Sequence, residues 1–257
     1  MRLIAVDLDD TLLRRDKTLS AYTLNILSRC REKGLLIAFA TARNECNAGV
    51  HIAKVRPDVV ISSGGALTRV HGEILNICQF SEDETAALID AGRALSSGQP
   101  MITVDTLDAH YENYRTDPTS EDPDWGDMIH TDFSGFRAPS LKVCVSLASP
   151  EDAAKVAAAV PDCEWLRFFG TDWYRFTKLN ASKDGALAVL SAQMGIPMED
   201  MIAFGDDYGD IGMIQSCGVG VAMQNAIPEA LAAADAICED CDQDGVAREL
   251  ERRFLSD

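Results

Sequence analysis

Positive charge is scarce in this sequence, which has 23 lysines and arginines against 41 aspartates and glutamates and a formal net charge of −18. A protein that binds nucleic acid needs a basic stripe to neutralise phosphates, and no such stripe is visible. An anionic membrane surface is a poor partner for the same reason. We therefore predict no nucleic-acid and no membrane partner. A small anionic substrate still fits, provided that a metal ion and a few cations are concentrated in one cleft.

Long hydrophobic runs are also lacking, since no segment reaches the roughly 18 to 20 uninterrupted apolar residues that a membrane helix needs. The amino terminus leads directly into a β-forming segment, without the basic region, apolar core and small-residue cleavage site of a signal peptide. These absences favour a cytoplasmic protein. The apolar fraction of 47% over 257 residues is ordinary for a globular protein and allows one large domain or two modest ones.

The cysteines lack the spacing of a zinc site or a disulfide framework. Of the eight cysteines, Cys238 and Cys241 form a CxxC, and no second pair completes a zinc site. The others are scattered through predicted helices and strands. We expect buried, reduced thiols that pack as small hydrophobic side chains.

The first part of the chain alternates between predicted strands and helices. An apolar segment opens the chain, and further buried strands are predicted at 35–40 and 58–62. Ser20 is a good N-cap for the first helix, and a second helix is predicted at 44–55. This alternation argues for a parallel sheet with right-handed crossovers. A hairpin is predicted at 66–77.

From Ser81 the pattern changes to that of an antiparallel α+β module. A capping box at Ser81 and Glu84 opens a helix, which is followed by strands, a further helix and a hairpin around Gly170. An Asp-, Pro- and Gly-rich stretch at 116–139 is predicted to be a long surface loop. Alternating helices and strands resume at Ser182.

These patterns predict an α/β fold with two domains. The predicted Rossmann-like parallel-sheet core comprises residues 1–80 and 181–257. The predicted α+β cap, residues 81–180, is inserted between them.

The first strand ends at two acidic residues, Asp7 and Asp9. In an extended backbone their side chains point to the same side. Two such charges about 4 Å apart repel each other by roughly 4 kcal/mol at an effective dielectric of about 20. A proton, a lysine or a hard divalent cation must offset this repulsion.

Other predicted strands also end at polar residues, and in a doubly wound sheet these ends converge on one crevice. The residues concerned are Thr41 and Arg43, the segment 62–65 with Ser63 and Gly64, and Asp206, Asp207 and Asp210. Lys183 lies in the first turn of its predicted helix. Carboxylates suit Mg²⁺, and a lysine, a hydroxyl and turn amides suit phosphate oxygens. The set therefore points to phosphoryl transfer.

Four of these segments resemble the four motifs of the haloacid dehalogenase superfamily, in the same order. They are Asp7-Leu8-Asp9-Asp10-Thr11-Leu12, Thr41 after an apolar strand, Ser182-Lys183, and Gly205-Asp206-Asp207-Tyr208-Gly209-Asp210. The insertion between the third strand and the lysine is similar to the cap of the Cof-type phosphatase branch. The resemblance covers nearly the whole chain.

The resemblance implies a role for each matching residue. Asp7 would be the nucleophile that becomes an aspartyl-phosphate, and Asp9 the general acid and then the general base. Mg²⁺ would be held by Asp7, the backbone carbonyl of Asp9, and Asp206. Asp210 would hold Lys183 or a metal-bound water.

The remaining implied roles concern the phosphoryl group and the substrate. Thr41 and Lys183 would bind the phosphoryl group. The turn at Ser63 and Gly64 is predicted to add phosphate contacts from its own chemistry, through its amides. Asn225 matches a family loop near the site.

Three positions depart from the family pattern. Asp10 stands where Gly is common, Gly209 where Asn is usual, and Ser63 where Asn is common.

Several residues also fit roles outside catalysis. Arg43 fits a substrate clamp or a helix-start ion pair, Asp207 fits a helix cap or a ligand, and Asp10 fits a structural role. The four histidines show no metal-ligand spacing and are predicted at surface or packing positions. Sheet packing is the expected role of a set in the cap, with one or two members contacting the leaving group. This set is Tyr111, Tyr114, Trp125, Trp173 and Arg175.

We therefore predict a Mg²⁺-dependent phosphohydrolase of small phosphorylated metabolites, with sugar phosphates as the favoured class. We expect a monomer or a small homo-oligomer. The first alternative is a phosphosugar mutase of the same superfamily. Two others are non-catalytic: a receiver switched by phosphorylation of its aspartate, and a silent sugar-phosphate-binding protein.

Overall fold

The computed structural model describes residues 1–95, 100–115 and 127–256. Its strands are β1 (Leu3–Val6), β2 (Leu36–Ala40), β3 (Val59–Ser62), β4 (Leu67–Val70), β5 (Glu73–Ile77), β6 (Ile102–Asp105), β7 (His110–Glu112), β8 (Ile129–His130), β9 (Lys142–Ser146), β10 (Cys163–Arg167), β11 (Trp173–Lys178), β12 (Met201–Gly205), β13 (Val219–Met223) and β14 (Ala236–Cys238). Its helices are α1 (Ala21–Glu32), α2 (Glu45–Val55), α3 (Glu82–Leu95), α4 (Pro150–Ala157), α5 (Lys183–Met194), α6 (Ile211–Ser216), α7 (Pro228–Ala233) and α8 (Gly245–Leu250).

The first sheet has the strand order β14-β13-β12-β1-β2-β3-β4-β5. The strands from β14 to β3 are parallel, and the hairpin β4–β5 adds two antiparallel strands at one edge. Both faces are covered by helices. Ile4 and Val6 pack with Ile26 of α1 on one face, while Leu3 and Ala5 pack with residues of α5 on the other. This arrangement confirms the predicted α/β class with a large parallel sheet.

The second sheet has the order β10-β11-β9-β6-β7-β8 and is antiparallel except for the β7–β8 pair. Apolar residues of β6, β9 and β11 face one side, where they pack with α3 and α4. The chain enters the second sheet after β5 and leaves it after β11. The boundaries at residues 80 and 180 stay a prediction.

Side-chain caps set the starts of several helices, as predicted. The Ser20 Oγ accepts a hydrogen bond from the Thr23 amide, and the Ser182 Oγ accepts one from the Gly185 amide. The capping box is formed by reciprocal hydrogen bonds between Ser81 and Glu84.

Two structural predictions need correction. Part of the predicted loop at 116–139 lies outside the described residues, but 129–130 form β8 and the Phe133 side chain is buried in the core beside the second sheet. A two-residue strand has no readable periodicity. The eight cysteines are free, but Cys46 is exposed and Cys78 and Cys163 are half-buried, so burial was wrong for these three.

Among the described residues, no helix is long and apolar enough to cross a membrane.

Candidate active site

The carboxyl ends of β1, β2, β3 and β12 lie at one edge of the first sheet, because these strands are parallel neighbours. Asp7 directly follows β1, Thr41 follows β2, Ser63 follows β3, and Asp206 follows β12. The sheet thus gathers residues separated by up to two hundred positions in the chain. This is the crevice position where open α/β sheets bind ligands.

Lys183 is the first residue of α5, and it is only 4% exposed. Its Nζ donates to Asp7 Oδ1 at 2.6 Å and to Asp210 Oδ1 at 2.5 Å. Burial lowers the pKa of Lys183, but the charges of Asp210 and Asp7 more than offset burial and hold this pKa above its usual value. Lys183 is therefore a fixed ammonium group between two carboxylates.

Asp7, Asp206 and Asp210 form a carboxylate cluster in which one ligand atom of each lies within 4.8 Å of the others. Burial, together with Asp210 and Asp9, raises the pKa of Asp7 to about 7 despite Lys183. Burial, Asp7 and Asp210 raise the pKa of Asp206 to about 8. The donors are all oxygens, which is what Mg²⁺ prefers, and a divalent cation would relieve their repulsion. The residues therefore fit this metal.

Within the cluster, both carboxylate oxygens of Asp210 already accept hydrogen bonds from other protein groups. Its Oδ1 accepts from Lys183, and its Oδ2 accepts from the backbone amides of Asp206 and Asp207. A Cβ on Gly205 would lie 2.3 Å from the Asp210 Cβ, so only glycine lets the side chain pass. These contacts favour Asp210 as the holder of Lys183 over direct metal ligation. The Asp207 carboxylate accepts from the Tyr208 amide, and Asp207 forms a capping box with Asp210, as the helix-cap alternative predicts.

Asp9 is held by a bidentate contact from Arg43, whose Nε and Nη2 lie 2.8 Å from its two carboxylate oxygens. Lys17 adds an ion pair at 3.0 Å. Burial raises the pKa of Asp9, but Arg43 and Lys17 outweigh burial and hold it well below its usual value. Arg43 also donates to the Asn47 carbonyl in α2, so it forms the ion pair at a helix start, and a contact with substrate stays a prediction.

The predicted phosphate contacts are only partly available. The Thr41 hydroxyl accepts from the Arg43 amide and still has its own proton to donate. The amides of Ser63 and Gly64 donate to the carbonyls of Arg43 and Thr41, and the Ser63 hydroxyl lies 3.2 Å from an Asp105 oxygen. The backbone amides of Ser63 and Gly64 therefore bind the loop after β2, and neither is directed at a phosphate.

Asn225 lies behind the site. Its side-chain amide donates to the Asp10 carbonyl at 2.7 Å, and its Oδ1 accepts from the Cys241 amide. Asn225 thus positions the loop after β1, and it is not among the residues that line the cavity described next.

A cavity of about 360 Å³ lies between the two sheets. Its floor is formed by the carboxylates at the end of β1 and β12, with Lys183. The opposite wall is the polar face of the second sheet. One row of paired residues crosses this wall: Thr103 of β6, Cys144 of β9, Arg175 of β11 and Leu166 of β10.

A buried polar network beside this wall links the two sheets through Asp105. The Asp105 carboxylate contacts Lys142 at 2.8 Å and His110 at 2.7 Å, both from the second sheet. The same carboxylate accepts from the side-chain amide of Asn44 at 2.9 Å and from the Ser63 hydroxyl, both near the first sheet. This network was not predicted from the sequence. The one sequence feature that pointed to it was Lys142, a lysine in a strand whose neighbouring valines are buried.

Two predictions about the second sheet need correction. His110 was predicted at a surface or packing position, but it is buried in the Asp105 network and lines the cavity. Trp173 and Arg175 of β11 also line the cavity, because alternate residues of a strand face opposite sides, and Tyr114 lines it from the segment after β7. Tyr111 does pack, against Phe136, and Trp125 lies outside the described residues.

Comparisons with known proteins agree with this geometry. The family model of the haloacid dehalogenase-like hydrolases matches residues 4–250. An HMP-PP phosphatase of Enterobacter sp. (strain 638) is 28% identical over 253 residues, covering 90% of this chain and 87% of that protein. A phosphoglycolate phosphatase of Methanothermobacter thermautotrophicus is 27% identical and covers 99% of both chains. A solved structure described as a HAD subclass IIB sugar phosphatase has a TM-score of 0.83 at 21% identity, with 98% of both chains covered.

Proposed function

This chain belongs to the haloacid dehalogenase-like hydrolase family, and from that premise we propose that it is a Mg²⁺-dependent phosphatase of small phosphorylated metabolites that works through an aspartyl-phosphate on Asp7. The observation that carries the proposal is the buried contact of Lys183 with both Asp7 and Asp210, beside Asp206 at the floor of a cavity. The curated relatives are named phosphatases of small phosphorylated compounds, which supports the same class.

In the proposed reaction, an Asp7 carboxylate oxygen attacks phosphorus and the bond to the leaving oxygen breaks. Oδ1 is held by Lys183, which fixes the carboxylate and leaves Oδ2 as the attacking atom. Water then attacks the aspartyl-phosphate, which releases phosphate and restores Asp7. Mg²⁺, bound by Asp7, Asp206 and the Asp9 carbonyl, would neutralise charge that develops on the phosphoryl oxygens.

Asp9 is the proposed proton carrier. Arg43 and Lys17 hold it ionised, which suits the second step, where a base takes a proton from water. Protonating the leaving oxygen in the first step requires a proton that the free protein does not hold at Asp9. We infer that Asp9 gains this proton when substrate enters, because the added negative charge raises its pKa.

The second sheet supports the choice of a small substrate. It covers the carboxylate floor and leaves a cavity of about 360 Å³, a size that suits a small metabolite. Sugar phosphates remain the favoured class from the sequence. A receiver is disfavoured by this cover over Asp7, and turnover decides between a hydrolase and a silent binding protein.

The test is phosphate release from a panel of phosphorylated metabolites, with Mg²⁺ or with a chelator, for wild type and Asp7→Asn. We expect turnover by wild type with Mg²⁺ only, and loss of at least about 10³-fold in Asp7→Asn because a carboxamide is a poor nucleophile. The variant should fold, since a neutral side chain relieves the crowding of carboxylates. Asp83→Asn, a change at an exposed residue outside the cavity lining, is the matched control and should keep wild-type activity.

Equal rates for wild type and Asp7→Asn would refute the mechanism. Isomerised phosphosugar without free phosphate would show that the protein is a mutase and not a hydrolase. A stable phospho-Asp7 that never turns over would favour the receiver, and binding without any turnover in wild type would favour the silent binding protein.

A further inference from the structure

The basic side chains that line the cavity differ in whether they have a carboxylate partner. All but one have a carboxylate partner: Lys183 contacts Asp7 and Asp210, Arg43 contacts Asp9, and Lys142 and His110 contact Asp105. The exception is Arg175 of β11. Among the described residues, its guanidinium has neither a hydrogen bond nor an ion pair, and its Nε is fully buried without a partner.

Arg175 is not a surface residue whose charge is met by solvent. It is 8% exposed, and burial lowers its pKa below the usual value for an arginine. Leaving a charged group buried without a hydrogen-bond partner costs free energy, and native structures rarely do so without a reason. The guanidinium presents five donors in a planar fork that matches a carboxylate or a phosphate. An anion is the partner that would satisfy both this charge and this fork.

The approach of Arg175 to the first sheet depends on Gly64. A Cβ on Gly64 would lie 2.3 Å from the Arg175 Nη1, so a side chain at this position would block the guanidinium. The turn after β3 thus leaves room for an arginine that comes from the opposite wall. This close approach holds the fork inside the cavity rather than at its rim.

Arg175 comes from a different wall than the cavity-lining groups proposed to bind the transferred phosphoryl group. Those groups are Lys183 and the carboxylate cluster, and they form the floor. Arg175 belongs to the opposite wall, in the row with Cys144 and Leu166. The wall is where the leaving part of a substrate attached at Asp7 would lie.

We propose that Arg175 binds a second anionic group, a carboxylate or a phosphate, on the leaving part of the substrate. This inference rests on the proposed function and narrows its substrate class. The preferred substrates are then phosphate esters whose leaving group carries its own negative charge, such as a phosphorylated acid, a bisphosphate or a diphosphate ester. The leaving group departs with that charge, and Arg175 is not consumed or altered by the reaction.

The test compares matched substrates that differ in this second charge. Phosphoglycolate and 2-hydroxyethyl phosphate form the carboxylate arm, and phenyl diphosphate and phenyl phosphate form the phosphate arm. Wild type, Arg175→Met and Arg175→Lys are compared by kcat/KM for phosphate release. Arg137→Met, which changes an arginine that is half exposed and lies outside the cavity lining, is the control.

We expect wild type to favour the charged member of at least one pair. Arg175→Met should lower kcat/KM for that member by about 10- to 100-fold, the value of a charge-assisted contact, and for the neutral member by less than about threefold. Arg175→Lys should lose less, because it keeps the charge but not the fork. The arm that responds identifies the anion as carboxylate or phosphate.

Three results would overturn the inference: equal losses for both members of each pair, which would place Arg175 on the transferred phosphoryl group; no loss for any substrate; and a wild-type preference for the neutral members. Thermal unfolding serves as a second readout. Arg175→Met should melt no lower than wild type, because it removes a buried charge without breaking an ion pair.

A binding measurement separates this inference from the proposed hydrolysis. Asp7→Asn with Mg²⁺ is titrated calorimetrically with each of the four compounds, and Asp7→Asn/Arg175→Met is titrated in parallel. Tighter binding of a charged member, lost in the double variant, supports the anion site even if wild type releases no phosphate. Equal affinities in the two proteins would overturn the anion site even if hydrolysis is confirmed.

Discussion

Asp7 and Asp206 are two neighbouring carboxyl groups that bind protons more tightly in the metal-free protein than in the unfolded chain. Burial and neighbouring carboxylates raise the pKa of Asp7 to about 7 and that of Asp206 to about 8. A divalent cation at this position binds the ionised carboxylates and must displace the protons. The same two side chains therefore link metal binding, protonation and stability.

The sign of this linkage follows from the direction of the shifts. Both folded-state pKa values lie above the ordinary value of 3.8, so the folded protein holds these protons more tightly than the unfolded chain. In chelator, the resulting stabilisation is fully present below about pH 4 and is lost as pH rises through about 7 to 8. We therefore expect Mg²⁺ to raise the melting temperature more at about pH 9 than at about pH 6.

Thermal unfolding with Mg²⁺ or chelator at both pH values measures this difference. Asp206→Asn removes one proposed ligand and should abolish most of the Mg²⁺ effect at the higher pH. A Mg²⁺ effect of the same size at both pH values would contradict the proton competition.

At this scale, the sequence could predict which residues meet but not every contact. The positions after parallel strands predict that Asp7, Lys183 and Asp206 lie together, because parallel strands end at one edge. The pairing of Arg43 with Asp9 depends on the exact path of two loops, which no local pattern specifies. The predicted roles of these residues in catalysis stay predictions.

The turn after β3 shows how one short element constrains both walls of the cavity. Gly64 has a φ of 74°, in the left-handed region, and the Arg175 Nη1 occupies the space of a Cβ. Gly72, in the hairpin turn, has a φ of 88° and open space around it. A comparison of Gly64 with Gly72 therefore separates the effect of backbone strain, which both share, from the effect of the close contact with Arg175.

We expect Gly64→Ala to destabilise the protein more than Gly72→Ala. Gly72→Ala should lose about 1 kcal/mol from backbone strain. Gly64→Ala should lose about 1 to 3 kcal/mol beyond that value, because Arg175 must move into a less favourable position. Denaturant unfolding of both variants measures the difference. Equal losses would show that the Arg175 approach adjusts freely, and Gly64→Ala/Arg175→Met should recover part of any excess loss.

The elements themselves were predicted well where periodicity is strong and poorly where it is not. The alternation of Val143 and Val145 with Lys142 and Cys144 is typical of a strand with one apolar face, which β9 has. It does not tell whether the polar face meets solvent, since antiparallel sheets often expose one face. Here the polar face is covered by the first sheet, and that is why the cavity wall was missed while the strands were found.

At the scale of the whole molecule, the two sheets are joined by a buried charge. Asp105 is fully buried and contacts Lys142 and His110 on its own sheet, and Asn44 and Ser63 near the other. Lys142 also donates to the Ala42 carbonyl at 2.6 Å. One carboxylate thus holds the cavity wall against the loops that carry Arg43 and Thr41.

Because this network contains titratable groups, its contribution to stability depends on pH. Burial raises the pKa of Asp105, but Lys142 and His110 outweigh burial and hold it well below the ordinary 3.8. The stabilisation from Asp105 is therefore present above about pH 4 and is lost as pH falls further. His110 has a pKa raised above 6.5 by Asp105 and Glu112 against the effect of burial, so its contribution is full below that value and is lost at higher pH.

Asp105→Asn tests whether this carboxylate couples the two sheets. The change leaves Lys142 buried without its counter-charge, and we expect a loss of about 3 to 5 kcal/mol in unfolding free energy near pH 6. The loss should shrink below about pH 4, where the wild-type carboxylate takes up its proton. Asp108→Asn, an exposed neighbour, is the control and should stay near wild type. Hydrogen exchange should become faster in both the 41–44 loop and β9, because each loses the same partner. Faster exchange in the second sheet alone would show that Asp105 stabilises its own sheet without joining it to the first.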